Sequence, residues 1–391
     1  MRMLICPLDW GLGHATRCIP LIRVLRAQGH VVVILATGSG RNLLQKEFPD
    51  LEVGSLPGFS MRYAKQRFLQ PFWLFAQLPF FLLSAWRDHQ RINSCVKSYK
   101  IDWVISDGRY GLRSSMVPSV LISHQLCVLP PGPRWWSEFW RSPLFQVNKW
   151  VLRNYVEIWV PDFSGDWNLS GRLAHDFSPW SKVRYIGPLS RFRPDTLGWD
   201  TPLTKIGNGS EGTSIDFLAL VSGPEPQRTL FEEKLLVQLR KCQGTRVLIR
   251  GLPDKTEGNI PQSVKPGKLT VLNHLPEKEL FSLLMTSKNL ICRSGYTSVM
   301  ELAGLGRTHI LMIPTPGQPE QEYLAEHLGK MGFVAFQPQE KMNLEIGLEA
   351  AAKLPGFSHL FAPENPLTPT ASLTEWIGNH LLFAPGDSQS K

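Results

Sequence analysis

Asn289-Leu290-Ile291-Cys292-Arg293-Ser294-Gly295-Tyr296-Thr297-Ser298-Val299-Met300-Glu301-Leu302-Ala303-Gly304-Leu305-Gly306, followed closely by His309-Ile310-Leu311-Met312-Ile313, reads as strand, turn, helix, strand. Ser294-Gly295 opens the helix, and its unpaired N–H groups suit a phosphate. Glu301 lies two turns further on and near the same face, where a carboxylate can accept both hydroxyls of a ribose. After the second strand come Pro314-Thr315-Pro316-Gly317-Gln318-Pro319-Glu320-Gln321-Glu322-Tyr323. These side chains are placed to read sugar hydroxyls.

The same alternation runs outward in both directions. Met3–Pro7, Val31–Ala36, Trp103–Ser106, Ser119–Ile122 and Ile158–Val160 are short apolar runs separated by helical stretches. Asp216–Val221, Arg246–Ile249 and Leu269–Leu272 continue it after a break. Continuous apolar runs between helices indicate parallel strands buried on both faces. The expected fold is therefore α/β, with two doubly wound Rossmann-like domains facing a central cleft. The expected domains are 1–190, a linker rich in Gly, Pro, Ser, Thr and Asp at 191–214, a second domain at 215–362, and a tail with a packing helix at 363–391.

With 391 residues and 43% hydrophobic content, the chain has material for two cores. Its six cysteines form no C-x-x-C pair, so they read as reduced thiols in a cytosolic protein. Asp9 interrupts the first apolar run, which argues against a signal peptide. The net charge of +9 is unevenly spread. Residues 1–190 hold 22 Lys and Arg against 12 Asp and Glu, whereas residues 191–391 hold 20 against 21. A basic first half suits a polyanion such as an anionic membrane surface or phosphorylated ligands. No finger, helix-turn-helix or RNP-like motif supports nucleic acid.

Two further turns carry candidate site residues. Asp9-Trp10-Gly11-Leu12-Gly13-His14-Ala15-Thr16-Arg17 follows the first strand. A dinucleotide fingerprint would want a third glycine near Thr16 and an acid after the second strand, where Ala36-Thr37-Gly38 stands. The turn instead presents His14 as a proton acceptor at the cleft mouth. Asp107, ending its strand, could orient His14 or be the base itself. Val221-Ser222-Gly223-Pro224-Glu225-Pro226-Gln227-Arg228 repeats the strand-turn-helix arrangement. Its Ser222, Gly223 and Gln227, with the charge of Arg228, could hold a diphosphate.

Residues 292–323 resemble the donor-binding stretch of GT-B glycosyltransferases, closest to the family 28 group. That group includes the peptidoglycan lipid-linked GlcNAc transferase and the diacylglycerol glycosyltransferases. The resemblance implies ribose binding by Glu301, sugar binding by Gln321 and Glu322, and further donor contacts from Arg293, Ser294, Gly295 and Gln318. Gly11-Leu12-Gly13-His14 is similar to the family's Gly-x-Gly-His turn, and Ile122-Ser123-His124-Gln125 to its acceptor-side segment. Gly11, Gly13, His124 and Gln125 are thus expected on the acceptor side. Inverting transfer from a nucleotide-sugar, with UDP-sugars expected, to a glycan or lipid hydroxyl is what the resemblance implies. The sequence contains no Asp-x-Asp; no metal and no cofactor are expected, and helix N-termini would offset the leaving-group charge. An epimerase on the same fold and a non-catalytic nucleotide-sugar-binding subunit are the alternatives.

Residues 59–100 stand apart. They carry Arg62, Lys65, Arg67, Arg87, Arg91, Lys97 and Lys100 against the single acid Asp88, with ten aromatics that include Phe72, Trp73, Phe75, Phe80, Phe81 and Trp86. Phe68 to Trp86 is uncharged, but Gln70, Pro71, Gln77, Pro79 and Ser84 argue against a membrane span. Insertion into one anionic leaflet is one reading, making the protein peripheral on the cytoplasmic membrane face. A helix packed on its own domain is the other.

Overall fold

A computed structural model describes residues 1–10, 12–59, 70–127, 134–176, 180–192, 215–252 and 266–361. Gly11, Arg62, Lys65, Arg67, the side chains of Phe72 and Phe75, positions 193–214 of the linker and the tail from 363 lie outside the described residues.

The first sheet is built from β1 (Arg2–Pro7), β2 (Val31–Leu35), β3 (Glu52–Gly54), β4 (Trp103–Asp107), β5 (Ser119–Ile122), β6 (Glu157–Val160) and β7 (Val183–Tyr185). Its order is β3-β2-β1-β4-β5-β6-β7, and every pairing is parallel. The second sheet contains β8 (Ile215–Leu220), β9 (Arg246–Ile249), β10 (Leu269–Leu272), β11 (Ser287–Cys292), β12 (Ile310–Met312) and β13 (Ala335–Phe336). Its order, β10-β9-β8-β11-β12-β13, is also wholly parallel. The α/β, doubly wound expectation is met in both halves.

Side chains alternate across each strand, so each sheet needs cover on two faces. In the first sheet Met3, Ile5, Ile34 and Ile105 pack under α1 (Leu12–Ala27), against Ile19 and Ile22. Leu4, Cys6, Val33 and Val104 face Ile92 and Val96 of α3 (Gln70–Tyr99) on the other side. The short helix α2 (Gly38–Glu47) follows β2. In the second sheet Ala219, Leu248, Ile291 and Leu311 meet α5 (Gln227–Leu239) through Phe231 and Leu235, and α9 (Leu344–Ala352) through Leu344 and Leu348. Leu218, Val247 and Leu290 lie in the cluster with α6 (Glu277–Thr286) and α7 (Tyr296–Gly304). Nine residues make a helix too short to persist alone. Burial of Val299, Met300, Leu302 and Ala303 holds α7 in place, at roughly 1.5–3 kcal/mol for each large apolar side chain.

Helix α3 is packed on its own domain at its carboxyl end and differs in burial along its length. Ile92 and Val96 near its carboxyl end join the core, while Trp73, Phe80, Leu82 and Trp86 earlier in the helix stand exposed. Phe81 is the exception, turned onto Trp10 and Phe59. Asp88 points inward and accepts from Arg109 Nε and Nη2 at 3.1 and 2.6 Å. The stretch's one acid is therefore spent on a buried cation, and Arg87 and Arg91 remain as exposed charge. A second helix, α4 (Arg134–Leu152), exposes Phe139, Val147 and Trp150. Among the described residues no helix is long and apolar enough to cross a membrane.

Candidate functional site

The carboxyl ends of the first sheet's central strands gather a charged cluster. Pro7 of β1 pairs in register with Asp107, the last residue of β4. The chain then enters α1, whose first turn carries His14, with Arg17 three residues on and on the same face. Arg17 grips Asp107 with two donors, Nε to Oδ2 at 2.6 Å and Nη2 to Oδ1. His14 Nδ1 lies 2.9 Å from Arg17 Nη2 and 3.3 Å from Asp107 Oδ1. Gly108, at φ +71°, makes this approach possible. A Cβ there would stand 2.9 Å from His14 Cε1, and the left-handed backbone favours glycine.

Electrostatics follow from this packing. Burial opposes ionisation of Asp107, yet Arg17 and His14 hold its carboxyl well below the usual range. Burial and the Arg17 guanidinium push the His14 imidazole below its ordinary value, against the pull of Asp107. His14 is thus a neutral imidazole near pH 7 with a carboxylate behind it.

The same guanidinium reaches across to β5. Arg17 Nη1 lies 3.2 Å from His124 Nδ1. Arginine can only donate, so His124 accepts at Nδ1 and carries its proton on Nε2, which donates to Glu320 Oε1 at 2.8 Å. Gln125 Nε2 donates to the other oxygen of Glu320 at 2.5 Å. The His124 ring stacks on Tyr296 at 4.1 Å, nearly coplanar. His124 and Gln125, read as acceptor-side residues, are therefore bound to the second domain. Gly13 joins them there: its carbonyl accepts from Thr297 Oγ1 at 3.2 Å. The first turns of α1 and α7 thus meet across the cleft.

On the second domain, Leu220 of β8 pairs with Cys292 of β11, so the turns at Ser222-Gly223 and Ser294-Gly295 open side by side. Gly223 has φ +110° and, with Ser222, is exposed. Ser294 Oγ donates to the Gln321 carbonyl at 2.8 Å, and Gln321 Oε1 accepts from Thr315 N at 2.9 Å. Gln318 caps α8 (Pro319–Lys330), and Glu322 Oε1 accepts from Gly317 N at 3.0 Å. Helix α8 sends Glu320, Tyr323 and His327 to the other domain, the last two meeting Arg172 N and the Asn168 carbonyl, and Glu320 lies between the Gln318 and Gln321 singled out from sequence. Burial resists its ionisation, but His124, His14 and Arg17 keep it below the usual carboxylate range.

Arg293, expected among the donor contacts, and Arg228, expected to add charge at a diphosphate, are both held by groups of the protein itself. Arg293 is fully buried: Nη1 donates to the carbonyls of Ile313 and Pro314, Nη2 donates to that of Gln227, and the guanidinium lies 3.9 Å from the Phe231 ring centroid. It ties three segments of the domain together. Arg228 donates to Glu225 and Glu232 at 2.6 Å each, so two carboxylates already balance its charge. Glu301, on the second turn of α7, faces a cation that sequence reading did not single out. Arg191 Nε lies 2.7 Å from its Oε1. Burial pushes the Glu301 carboxyl above its ordinary value, and Arg191 works against that. No cluster of His, Cys, Asp and Glu fit to hold a metal ion occurs among the described residues.

Residues 1–125, which carry the His14–Arg17–Asp107 cluster, match the profile of glycosyl transferase family 1. An uncharacterized glycosyltransferase of Methanosarcina mazei is 24% identical over 359 residues, 85% of this chain and 84% of that protein. One from Methanopyrus kandleri is 24% identical, over 82% of this chain and 88% of its own length. Among solved structures, spinosyn rhamnosyltransferase SpnG superposes with TM-score 0.62 at 16% identity, covering 98% of this chain and all of that one. Acinetobacter baumannii MurG superposes with TM-score 0.51 at 14% identity, covering 97% of this chain and 98% of that one. Two parallel sheets facing one another over a charged cleft, superposing on these enzymes along almost the whole chain, give the protein the GT-B fold of glycosyltransferases.

Proposed function

We propose that the protein is a glycosyltransferase that moves a sugar from a UDP-sugar to an acceptor hydroxyl with inversion. The observation that carries this reading is the meeting of His14, backed by Asp107, with the amino end of α7 across the cleft. One side offers a neutral base and the other an unpaired helix terminus for a diphosphate. His14 Nδ1 faces both Asp107 Oδ1 and Arg17 Nη2. The tautomer that donates Nδ1–H to Asp107 leaves the Nε2 lone pair to take the acceptor's proton, whereas the one that accepts from Arg17 does not. The base reading takes the first. The deprotonated oxygen attacks the anomeric carbon as the bond to the diphosphate breaks, and nucleoside diphosphate leaves from the second domain. Helix N-termini at Ser294-Gly295 and after Ser222-Gly223 would stabilise the charge that develops on it. In this reading Asp107 orients the base, since both its oxygens are held by Arg17.

Glu301 takes the ribose hydroxyls, and Gln318, Glu320, Gln321 and Glu322 line the sugar side. The acceptor is a lipid or glycan presented at an anionic membrane surface. Support for that choice is the exposed aromatic side chains on α3, with Arg87 and Arg91, and on α4, with Lys149, the composition that binds one leaflet. The test is UDP release from a panel of UDP-sugars with lipid and soluble acceptors. Acceptor-dependent release supports transfer, acceptor-free sugar interconversion makes the protein an epimerase, and binding without turnover makes it a non-catalytic subunit.

A further inference from the structure

We infer that Arg191 is a positioning residue of the nucleotide site, holding the Glu301 carboxylate as an ionised acceptor for both hydroxyls of the donor's ribose. This rests on the assignment of Glu301 to the ribose. Arg191 follows the last strand of the first domain, yet it is anchored on the second. Its guanidinium lies 4.6 Å from the ring centroid of Phe192, and that fully buried ring stands 5.9 Å from Phe281 of α6. From this anchor Arg191 Nε comes within 2.7 Å of Glu301 Oε1, with both side chains 12% exposed.

The contact balances charge without using up the carboxylate. Neither Arg191 Nε nor Glu301 Oε1 has an aligned hydrogen-bond partner among the described residues, although both atoms are buried. An ionised carboxylate accepts at about four lone-pair positions, so lone pairs remain for two ribose hydroxyls. A protonated carboxyl would offer fewer acceptor positions and would lose the charge assistance that strengthens each bond.

The surroundings explain why a cation is required. Burial disfavours the Glu301 charge, and Glu277 at the start of α6 adds a like charge. Glu277 is itself met by Arg23, whose Nη1 and Nη2 donate to it at 3.0 and 2.8 Å, and Arg23 also pairs with Glu47. Among the described residues Arg191 is the cation paired with Glu301. Its place at the mouth of the linker would make ribose binding sensitive to how the two domains are joined.

Calorimetric titration of the full-length protein with UDP and with 2′-deoxy-UDP, from about pH 5.5 to about pH 8, tests the inference. An adjacent opposite charge lowers a carboxyl by about 1–3 pH units. Arg191→Met should therefore bind UDP nearly as wild type at the alkaline end and about ten-fold or more weakly at the acid end. Wild type is measured alongside, so ionisation of the diphosphate cancels. The preference of Arg191→Met for UDP over 2′-deoxy-UDP should shrink toward the acid end, and Arg191→Lys should restore the wild-type profile. A pH-independent loss in Arg191→Met overturns the inference. So does a gain in affinity, which would make Arg191 a plug that nucleotide displaces. Unaltered UDP affinity in Glu301→Ala, or no UDP binding by wild type, instead overturns the ribose assignment beneath it.

Discussion

Asp107→Asn keeps the outline of the side chain and removes its charge. In the native cluster Arg17 is 2% exposed and gives two donors to the Asp107 carboxylate, one of them at 2.6 Å. Asparagine offers a single carbonyl oxygen, and its amide group would set donors against a donor. The remaining nearby carboxylate, Glu320, is already held by His124 and Gln125. Arg17 would be left buried without a direct counter-ion. Breaking a buried pair from one side costs about 3–5 kcal/mol, a large share of the roughly 5–15 kcal/mol that stabilises a typical fold. Urea unfolding read by tryptophan emission is a suitable assay, because Trp103 and Trp159 are buried in the first sheet. The double variant Arg17→Met with Asp107→Asn removes both charges and should recover most of the lost stability. A single-variant cost below about 1 kcal/mol, the scale of an exposed pair, would refute the argument. So would a double variant no more stable than the single one.

Two further outcomes follow from the same structure. His14 titrates below the ordinary histidine value because of burial and Arg17, so its basic form persists as the pH falls through about 6.5. The acid limb of kcat against pH should lie below that value, and His14→Ala should lower kcat by about 10²–10⁴-fold with donor affinity kept; an acid limb above about 7 would contradict the assignment. For the proposed membrane contact, Trp73, Phe80 and Trp86 are exposed while Phe81 packs on Trp10. Changing the first three to Ser should abolish co-sedimentation with anionic vesicles at low salt and leave thermal stability unchanged, whereas lost stability with no vesicle binding by wild type would place these residues in a protein interface.

The fold was legible wherever burial on both faces forces a continuous apolar run. Ser119–Ile122, Arg246–Ile249 and Leu269–Leu272 are strands over those same residues. Strands β3, β7 and β13 escaped notice because they have two or three residues each and lie at or near sheet edges, where one-sided exposure breaks the pattern. Helix α4 was hidden by Pro143 and by aromatics on its exposed side. At the site, glycines and helix starts could be read from spacing. The Arg17 cluster could not, since its partners Asp107 and His124 lie 90 and 107 residues away. Arg17 does stand three residues beyond His14, which marks a shared helix face. Glu320 and Glu322, both expected on the sugar side, stand about half a turn apart on α8. Helical geometry gives Glu320 to the cleft and Glu322 to the Gly317 amide, and no single-sequence cue separates two glutamates so close together. The profile matched by the first 125 residues is that of glycosyl transferase family 1, whereas the sequence motifs had pointed to family 28.

The central claim is that the second domain binds a nucleotide-sugar through the amino end of α7 and through Glu301. A thermal-shift and calorimetric panel of nucleoside diphosphates and their sugars, run on wild type and Glu301→Ala, tests it most directly. Ligand bound only by the native state raises stability by mass action, by about 2.7 kcal/mol at a hundred times Kd. The account predicts that UDP and at least one UDP-sugar bind wild type, and that Glu301→Ala weakens them by roughly 1.5–3 kcal/mol, the scale of hydrogen bonds to a charged group. A panel in which no nucleotide binds, or in which Glu301→Ala binds as tightly as wild type, would contradict it.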